Sequence, residues 1–394
     1  MTTTTFRNGD AGPAVTQIVG LLDQLGLLDG PLPDAFDDRV ELAVRTFQQQ
    51  RGLHVDGVVG VATFRRMDEA RWTLGDRILT HLPGSLMAGD DVFALQRRLL
   101  ELGFKVGRVD GYFGAETEAG LRDFQRNVGI PADGTCGPLT LKTLSQLAPM
   151  VSGGAPNAMR AQERIRDAGP HLGGKIVVID PSPGQHLPEQ YAETAAEIVH
   201  DLAARIEGRL VATGVQAFLT ASRSGRHRAE VQGEYAEEAE RAVFANRANA
   251  HLSISLAVDA AANPDACGVA TYYFGSEKHH TRSSTGERFA SLVQREIVAR
   301  TDLVDLRCHA KAWDFLRRTR MPAVQVDAGY LSNPGDARRL ADPGFRDVLA
   351  EAVVVAVQRF YLSPEADPNT GVLRLSELRS ALAARSGPGS PADH

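Results

Sequence analysis

Cysteine is nearly absent from this 394-residue sequence: Cys136, Cys267 and Cys308 lie far apart, and no C-x-x-C pair occurs. That usage excludes a disulfide framework and a cysteine zinc site, and leaves three reduced, mostly buried thiols. Long apolar runs are missing too. No stretch of about 18 apolar residues exists, so no transmembrane helix is expected. The start, "MTTTTFRNGDAG", has no basic stretch followed by an apolar one. No secretory signal is therefore visible, and the expected location is the cytoplasm. Basic residues form no block, and the formal net charge is −6. A phosphate-neutralising nucleic-acid surface is not expected. No Ser-His-Asp or Cys-His signature and no glycine-rich phosphate loop stands out. What is present is an apolar content of 43%, enough for a globular core, on a chain long enough for two or three domains.

The front of the chain repeats itself. "GDAGPAVTQIVGLLDQLGLL" from Gly9 parallels "GDDVFALQRRLLELGFKVG" from Gly89. The parallel continues from Phe36 to Thr63 and from Phe113 to Thr140, at one offset of 77 residues. Phe47 and Phe124 correspond, as do Asp56-Gly57 and Asp133-Gly134, and Gly60 and Gly137. The first copy reads as three residues longer before Phe36, around "LDGPLPDA". Each unit reads as helix, loop, helix, turn, helix. In the second, Val92, Leu95, Leu99 and Leu102 form one helical face, and Leu121 and Phe124 another. "PADG" supplies a turn before a third helix at Thr140 to Leu147. The phenylalanines and glycines serve packing and turns first. With its D-G-x-x-G-x-x-T signature, this pattern resembles the peptidoglycan-binding three-helix domain, in tandem over 6–75 and 86–148. The resemblance implies a groove that holds cell-wall glycan or stem peptide.

"APMVSGGAPNAMRAQERIRDAGPHLGGK" is rich in Gly, Pro and small residues and reads as a linker, 149–173. After it the pattern changes. "KIVVID", "VQAFLT", "HLSISLAV", "GVATYYF" and "PAVQV" read as strands. "ETAAEIVHDLAARIEGRL", "EVQGEYAEEAERAVFANRANA", "TGERFASLVQREIVARTD" and "PGFRDVLAEAVVVAVQRFY" read as helices. The expected architecture is multidomain: two small all-α three-helix domains, then an α/β domain over 174–362 with helices on both faces of a sheet.

The segments "VVIDPSPG", "ERAVFANRANAHLSISLAVDA", "GVATYYFG" and "HAKAWDFLRRTRMPAVQVDAGYLSNPGDARRL" resemble, in order, the zinc-dependent N-acetylmuramoyl-L-alanine amidase family. That family cuts the amide between muramic acid and L-alanine. Its zinc is held by two histidines and a glutamate, with positions open for water and substrate. A further glutamate serves the attacking water. Carried over position by position, Pro183 stands for the first histidine, Ala195 for the ligand glutamate and Ala257 for the second histidine. Asp327 stands for the general base, one methylene shorter. Alanine and proline side chains offer zinc no lone pair. No intact catalytic residue and no cofactor are therefore expected, with Asp327 a relic carboxylate. The alternative is an active zinc amidase with a rearranged site, drawing on His186 and on Glu193, which flanks Ala195. His251 begins the strand that ends at Ala257, about 20 Å away at strand rise. His309 matches a position the family fills with histidine outside the metal shell, and reads as a structural histidine. His279 and His280 form no ligand-spaced pair on one face.

A silenced amidase without an export signal resembles the CwlM-type branch of that family in actinobacteria. That resemblance implies a cytoplasmic regulator or scaffold of peptidoglycan synthesis under serine/threonine kinase control. The implied partner is the enolpyruvyl transferase that commits UDP-N-acetylglucosamine to the wall, with peptidoglycan fragments or precursors as further ligands. The tail, 363–394, carries Leu375, Leu378 and Leu382 on one helical face. Thr370 before them reads as a helix cap or as a phospho-acceptor.

Overall fold

The structure, a computed structural model, describes residues 5–82, 84, 86–147, 165, 169–182, 187–220 and 238–362. Most of the expected linker, the tail with Thr370, and Pro183 and His186 lie outside the described residues. The chain divides into two units: Met1–Asn157 with Ser276–Thr281, and Ala158–Gly275 with Arg282–His394.

The first unit holds the repeats. Helices α1 (Pro13–Gln24), α2 (Asp38–Arg51) and α3 (Val61–Ala70) build one copy. Helices α4 (Asp90–Glu101), α5 (Ala115–Asn127) and α6 (Pro138–Gln146) build the other. All three helix starts differ by 77 residues, so the three extra residues expected before Phe36 are not there. The reason lies at the first cap. Gly12, not Gly9, precedes α1 as Gly89 precedes α4, and matching the two Gly-Asp pairs misplaces the copies.

Apolar positions at helical spacing fill each small core. Val15, Ile18, Leu22, Phe36, Val40, Val44 and Phe47 pack in the first, and Val92, Leu95, Leu99, Phe113, Leu121 and Phe124 in the second. Burying one such phenylalanine contributes about 1.5–3 kcal/mol.

The D-G turns are held from inside by glutamine. Gln48 Nε2 donates to Asp56 Oδ1 at 2.7 Å, Val58 O at 3.0 Å and Thr63 Oγ1 at 3.4 Å, and its Oε1 accepts from the Gly57 N–H at 2.9 Å. Gln125 repeats this with Asp133, Thr135, Thr140 and Gly134. Gln96 does the same for Asp110-Gly111 and Thr117. Gly57 and Gly134 both sit at φ +75°, and a Cβ on Gly57 would meet Glu41 Cγ at 2.8 Å. Only glycine takes both that backbone and that approach. The D-G-x-x-G-x-x-T signature is thus a turn with its glutamine partners.

Within the same unit, Asp90 at the start of α4 collects two cations and a histidine. Arg51 Nη1 lies 2.7 Å from its carboxylate, His279 Nε2 3.2 Å and Lys278 Nζ 3.3 Å. The His279 ring stacks on Phe93 with centroids 4.0 Å apart. Burial pushes the Asp90 carboxyl up, but bonds from His279 and Arg51 outweigh it and hold it below the usual carboxylate range.

The second unit is an α/β sheet. Strands β1 (Ile176–Pro181), β2 (Gln216–Leu219), β3 (Leu252–Asp259), β4 (Val269–Ser276), β5 (Thr281–Arg282), β6 (Asp305–Lys311) and β7 (Ala323–Tyr330) run in the order β2-β1-β3-β7-β4-β5, with β6 paired to β4. β1, β2, β3 and β7 are mutually parallel, and β4 runs antiparallel to β7. Residues Ile254, Leu256 and Val258 of β3 and Val324, Val326 and Ala328 of β7 share one large core. Helices α7 (Glu189–Val211), α9 (Ser284–Arg300) and α12 (Pro343–Tyr361) supply its other wall. On the opposite face, α8 (Glu238–Arg247) and the short α10 (Asp314–Arg318) cover Phe274 and Ala323. Helix α11 (Pro334–Ala341) starts from Asn333, whose side chain accepts from the Gly335 N–H at 2.9 Å.

Candidate functional site

Parallel pairing brings the C-terminal ends of β1, β3 and β7 to one edge of the sheet, where ligands of α/β folds gather. Ala257 and Asp327 are direct neighbours in the β3–β7 register. The period of two turns both away from the large core, onto the face that carries α8 and α10.

Asp327 is 8% exposed. Its Oδ1 accepts from Gln325 Nε2 at 2.9 Å, and the Tyr272 hydroxyl donates to its carboxylate. Burial pushes the carboxyl up to about 7, and Asp259 at the end of β3 adds to the shift; Gln325, Tyr272 and Lys311 oppose it. Tyr272 stands 4.6 Å from Trp313 and 5.9 Å from His309, ring centre to ring centre. Lys311 Nζ lies 6.0 Å from the Trp313 ring centre. The sheet edge is therefore lined by Asp327, Asp259, Tyr272, Gln325, Lys311 and Trp313. Of these only Asp327 was singled out from the sequence. The others come from strands and loops far apart in the chain, and nothing in their own segments sets them apart.

A second polar cluster closes the end of β1. Asp180 is fully buried. It accepts from Thr220 Oγ1 at 2.5 Å and Ser255 Oγ at 2.9 Å, and Arg241 Nε lies 2.9 Å from one of its oxygens. Arg241 also reaches Ser182 Oγ at 3.4 Å. Burial, with Asp314 and Asp180 nearby, pushes the Glu238 carboxyl up to about 7. The Asp-Pro that leads into the family's turn is thus a buried, ion-paired lock on α8.

The remaining sequence candidates are dispersed. Ala195 is a fully buried core residue of α7, and Glu193 is exposed on the same helix. His251 accepts from the Ile176 N–H through Nδ1 at 3.0 Å, and burial lowers its pKa. His309 donates from Nε2 to Leu306 O at 2.6 Å and is exposed. The zinc of the family finds no fit among the described residues. Ala195 and Ala257, the positions carried over from the sequence for two of the ligands, bear methyl groups that offer a metal no donor. No group of three or more His, Cys, Asp or Glu side chains converges on one point among the described residues. No helix among them is long and apolar enough to cross a membrane.

Residues 177–359 match the N-acetylmuramoyl-L-alanine amidase family model, and residues 11–67 and 88–144 each match the peptidoglycan-binding domain. The N-acetylmuramoyl-L-alanine amidase CwlM of Mycobacterium tuberculosis is 43% identical over 95% of this chain and 93% of its own length. A probable N-acetylmuramoyl-L-alanine amidase of Bacillus licheniformis is 33% identical over 29% of this chain and 36% of its own. Among solved structures, an N-acetylmuramoyl-L-alanine amidase from Clostridium difficile 630 is 22% identical with a TM-score of 0.40, over 46% of this chain and 94% of that one. The chain belongs to the N-acetylmuramoyl-L-alanine amidase family, as a member with two peptidoglycan-binding domains ahead of the amidase domain.

Proposed function

We propose that this family member no longer cuts, and serves as a regulator or scaffold of peptidoglycan synthesis through contacts with other proteins. One observation supports the reading. Ala257 sits beside Asp327 at the sheet edge, and in this reading it stands for a ligand histidine whose donor is gone. With Ala195 and Pro183 also lacking donor atoms, three ligands must be replaced at once for zinc to bind. A non-hydrolytic role is compatible with a cytoplasmic location, where the partner would be a protein of precursor synthesis such as the UDP-N-acetylglucosamine enolpyruvyl transferase. Control by a serine/threonine kinase, with Thr370 as acceptor, and binding of peptidoglycan fragments or precursors belong to the same proposal.

The test is metal analysis of the full chain purified from zinc-replete cells, with a parallel assay for stem peptide released from muropeptides. The expected result is far less than one zinc per chain and no released peptide. One zinc per chain together with release would overturn the reading. A second reading, a working amidase with a rearranged site, is supported by the carboxylate retained at Asp327 and by the name of the M. tuberculosis relative. The same two measurements decide between them.

A further inference from the structure

The second repeat carries a groove that the first does not match in charge. It lies between α4 and α6, with a cavity volume of about 510 Å³. Leu74, Leu141 and Leu144 form its floor. Arg97, Arg98 and Lys142 stand around it against a single anion, Glu101, a net charge of +2 on a chain whose total is −6. Arg98 directs Nη2 to the carbonyls of Leu144 and Leu147, closing the end of α6. Arg97 is 52% exposed, and its contact with Glu101 is a loose 3.6 Å. Lys142 is exposed as well. Two cations therefore remain available to a ligand.

The 77-residue offset supplies an internal control. Arg97 and Arg98 correspond to Gly20 and Leu21, Lys142 to Arg65, Glu101 to Gln24 and Ser145 to Asp68. The first copy has one cation and one anion at these places, a net charge of zero. Its floor stays apolar, with Phe64 and Met67 where the second has Leu141 and Leu144. Folding requires the floor in both copies. It does not require the positive rim, since the first copy folds the same way without one.

We propose that this groove of the second repeat docks an acidic amphipathic helix of a partner protein. Apolar side chains at i, i+3, i+4 and i+7 would lie on Leu74, Leu141 and Leu144, with carboxylates against Arg97 and Lys142. No aromatic side chain lines the groove, so a sugar ring has no flat apolar face to pack on there. Opposite charge around an apolar floor selects the partner and speeds its capture. The inference does not depend on the loss of zinc, and it stands or falls independently of metal content.

The test uses the full chain and two fluorescent helical peptides with leucines at i, i+3, i+4 and i+7. One carries glutamates at its other positions and the other lysines. Anisotropy titrations at low salt are expected to show at least about tenfold tighter binding of the acidic peptide, with the margin shrinking at high salt. The double variant R97E/K142E should reverse the preference while its melting midpoint stays put. R65E, in the first repeat, should leave the preference unchanged. Equal binding of the two peptides, a preference that survives R97E/K142E, an equal response to R65E, or displacement of the acidic peptide by a muropeptide would each overturn the proposal.

Discussion

Asp327 is the residue whose chemistry changes most with its surroundings. An unfolded aspartate titrates near 3.9, whereas burial holds this one near 7 in the folded chain. The folded state therefore keeps a proton that the unfolded state gives up above pH 4. The stabilising contribution is complete below about pH 4 and is lost as pH rises through 7. Asp327→Asn stays neutral throughout. It should match the parent near pH 4 and exceed its stability at pH 8 by on the order of 4 kcal/mol, as read from urea denaturation at the two pH values. A variant no more stable than the parent at pH 8 would show that the carboxylate is well solvated. From sequence the identities of Asp327, Ala195 and Ala257 could be counted out against the family's pattern. The surroundings of Asp327 could not. Asp259 comes near it through the β3–β7 pairing, and Tyr272 through the strand order, which places β4 beside β7 although β5 and β6 lie between them in the chain.

Single elements owe their stability to a few polar groups placed inside. Gln125 satisfies the buried Gly134 N–H and binds Asp133, Thr135 and Thr140. Gln125→Ala leaves the buried Gly134 N–H unpaired and opens a hole, at a cost of about 2–4 kcal/mol in thermal or urea unfolding. Gln48→Ala should cost a similar amount, since the geometry repeats. Where α9 meets α12, Glu296 lies 2.8 Å from Arg300 and 3.0 Å from Arg359, with Glu296 and Arg359 each 1% exposed. Glu296→Gln removes the negative charge that the buried Arg359 guanidinium faces and should cost about 3–5 kcal/mol, measured the same way. Elements with apolar runs or strong helical stripes were legible in the sequence: β1, β3, β4, β7, α7, α9 and α12. β6, "DLRCHAK", was not, because its side chains alternate between exposed and half-buried and form no apolar run. The short α10 was missed for want of length. Gln48 and Gln125 carried a visible signal, each eight residues before the aspartate of its D-G turn, and were passed over because glutamine is an ordinary surface residue of helices.

At the scale of the whole molecule, the feature sequence could not show is that the repeat unit is not continuous. It includes Ser276–Thr281, from the segment joining β4 to β5. Lys278 and His279 reach Asp90, His279 covers Phe93, and Thr281 Oγ1 donates to Val109 O at 3.2 Å. Replacing residues 277–280 with glycines removes two of Asp90's partners and uncovers an aromatic ring that is 2% exposed. Amide exchange in α4 should then quicken by at least about tenfold while that in α2 changes little, as hydrogen-exchange mass spectrometry can read. Two repeats with small cores of their own could be read as modules complete in themselves. The stacking of His279 on Phe93 gives them a different history on the ribosome. Synthesis runs from the N-terminus, so both repeats emerge and collapse with Phe93 still uncovered and Asp90 short of cations. Their last piece is not made until β4 has been translated, and the N-terminal unit is thus completed late, by a segment that belongs in sequence to its neighbour.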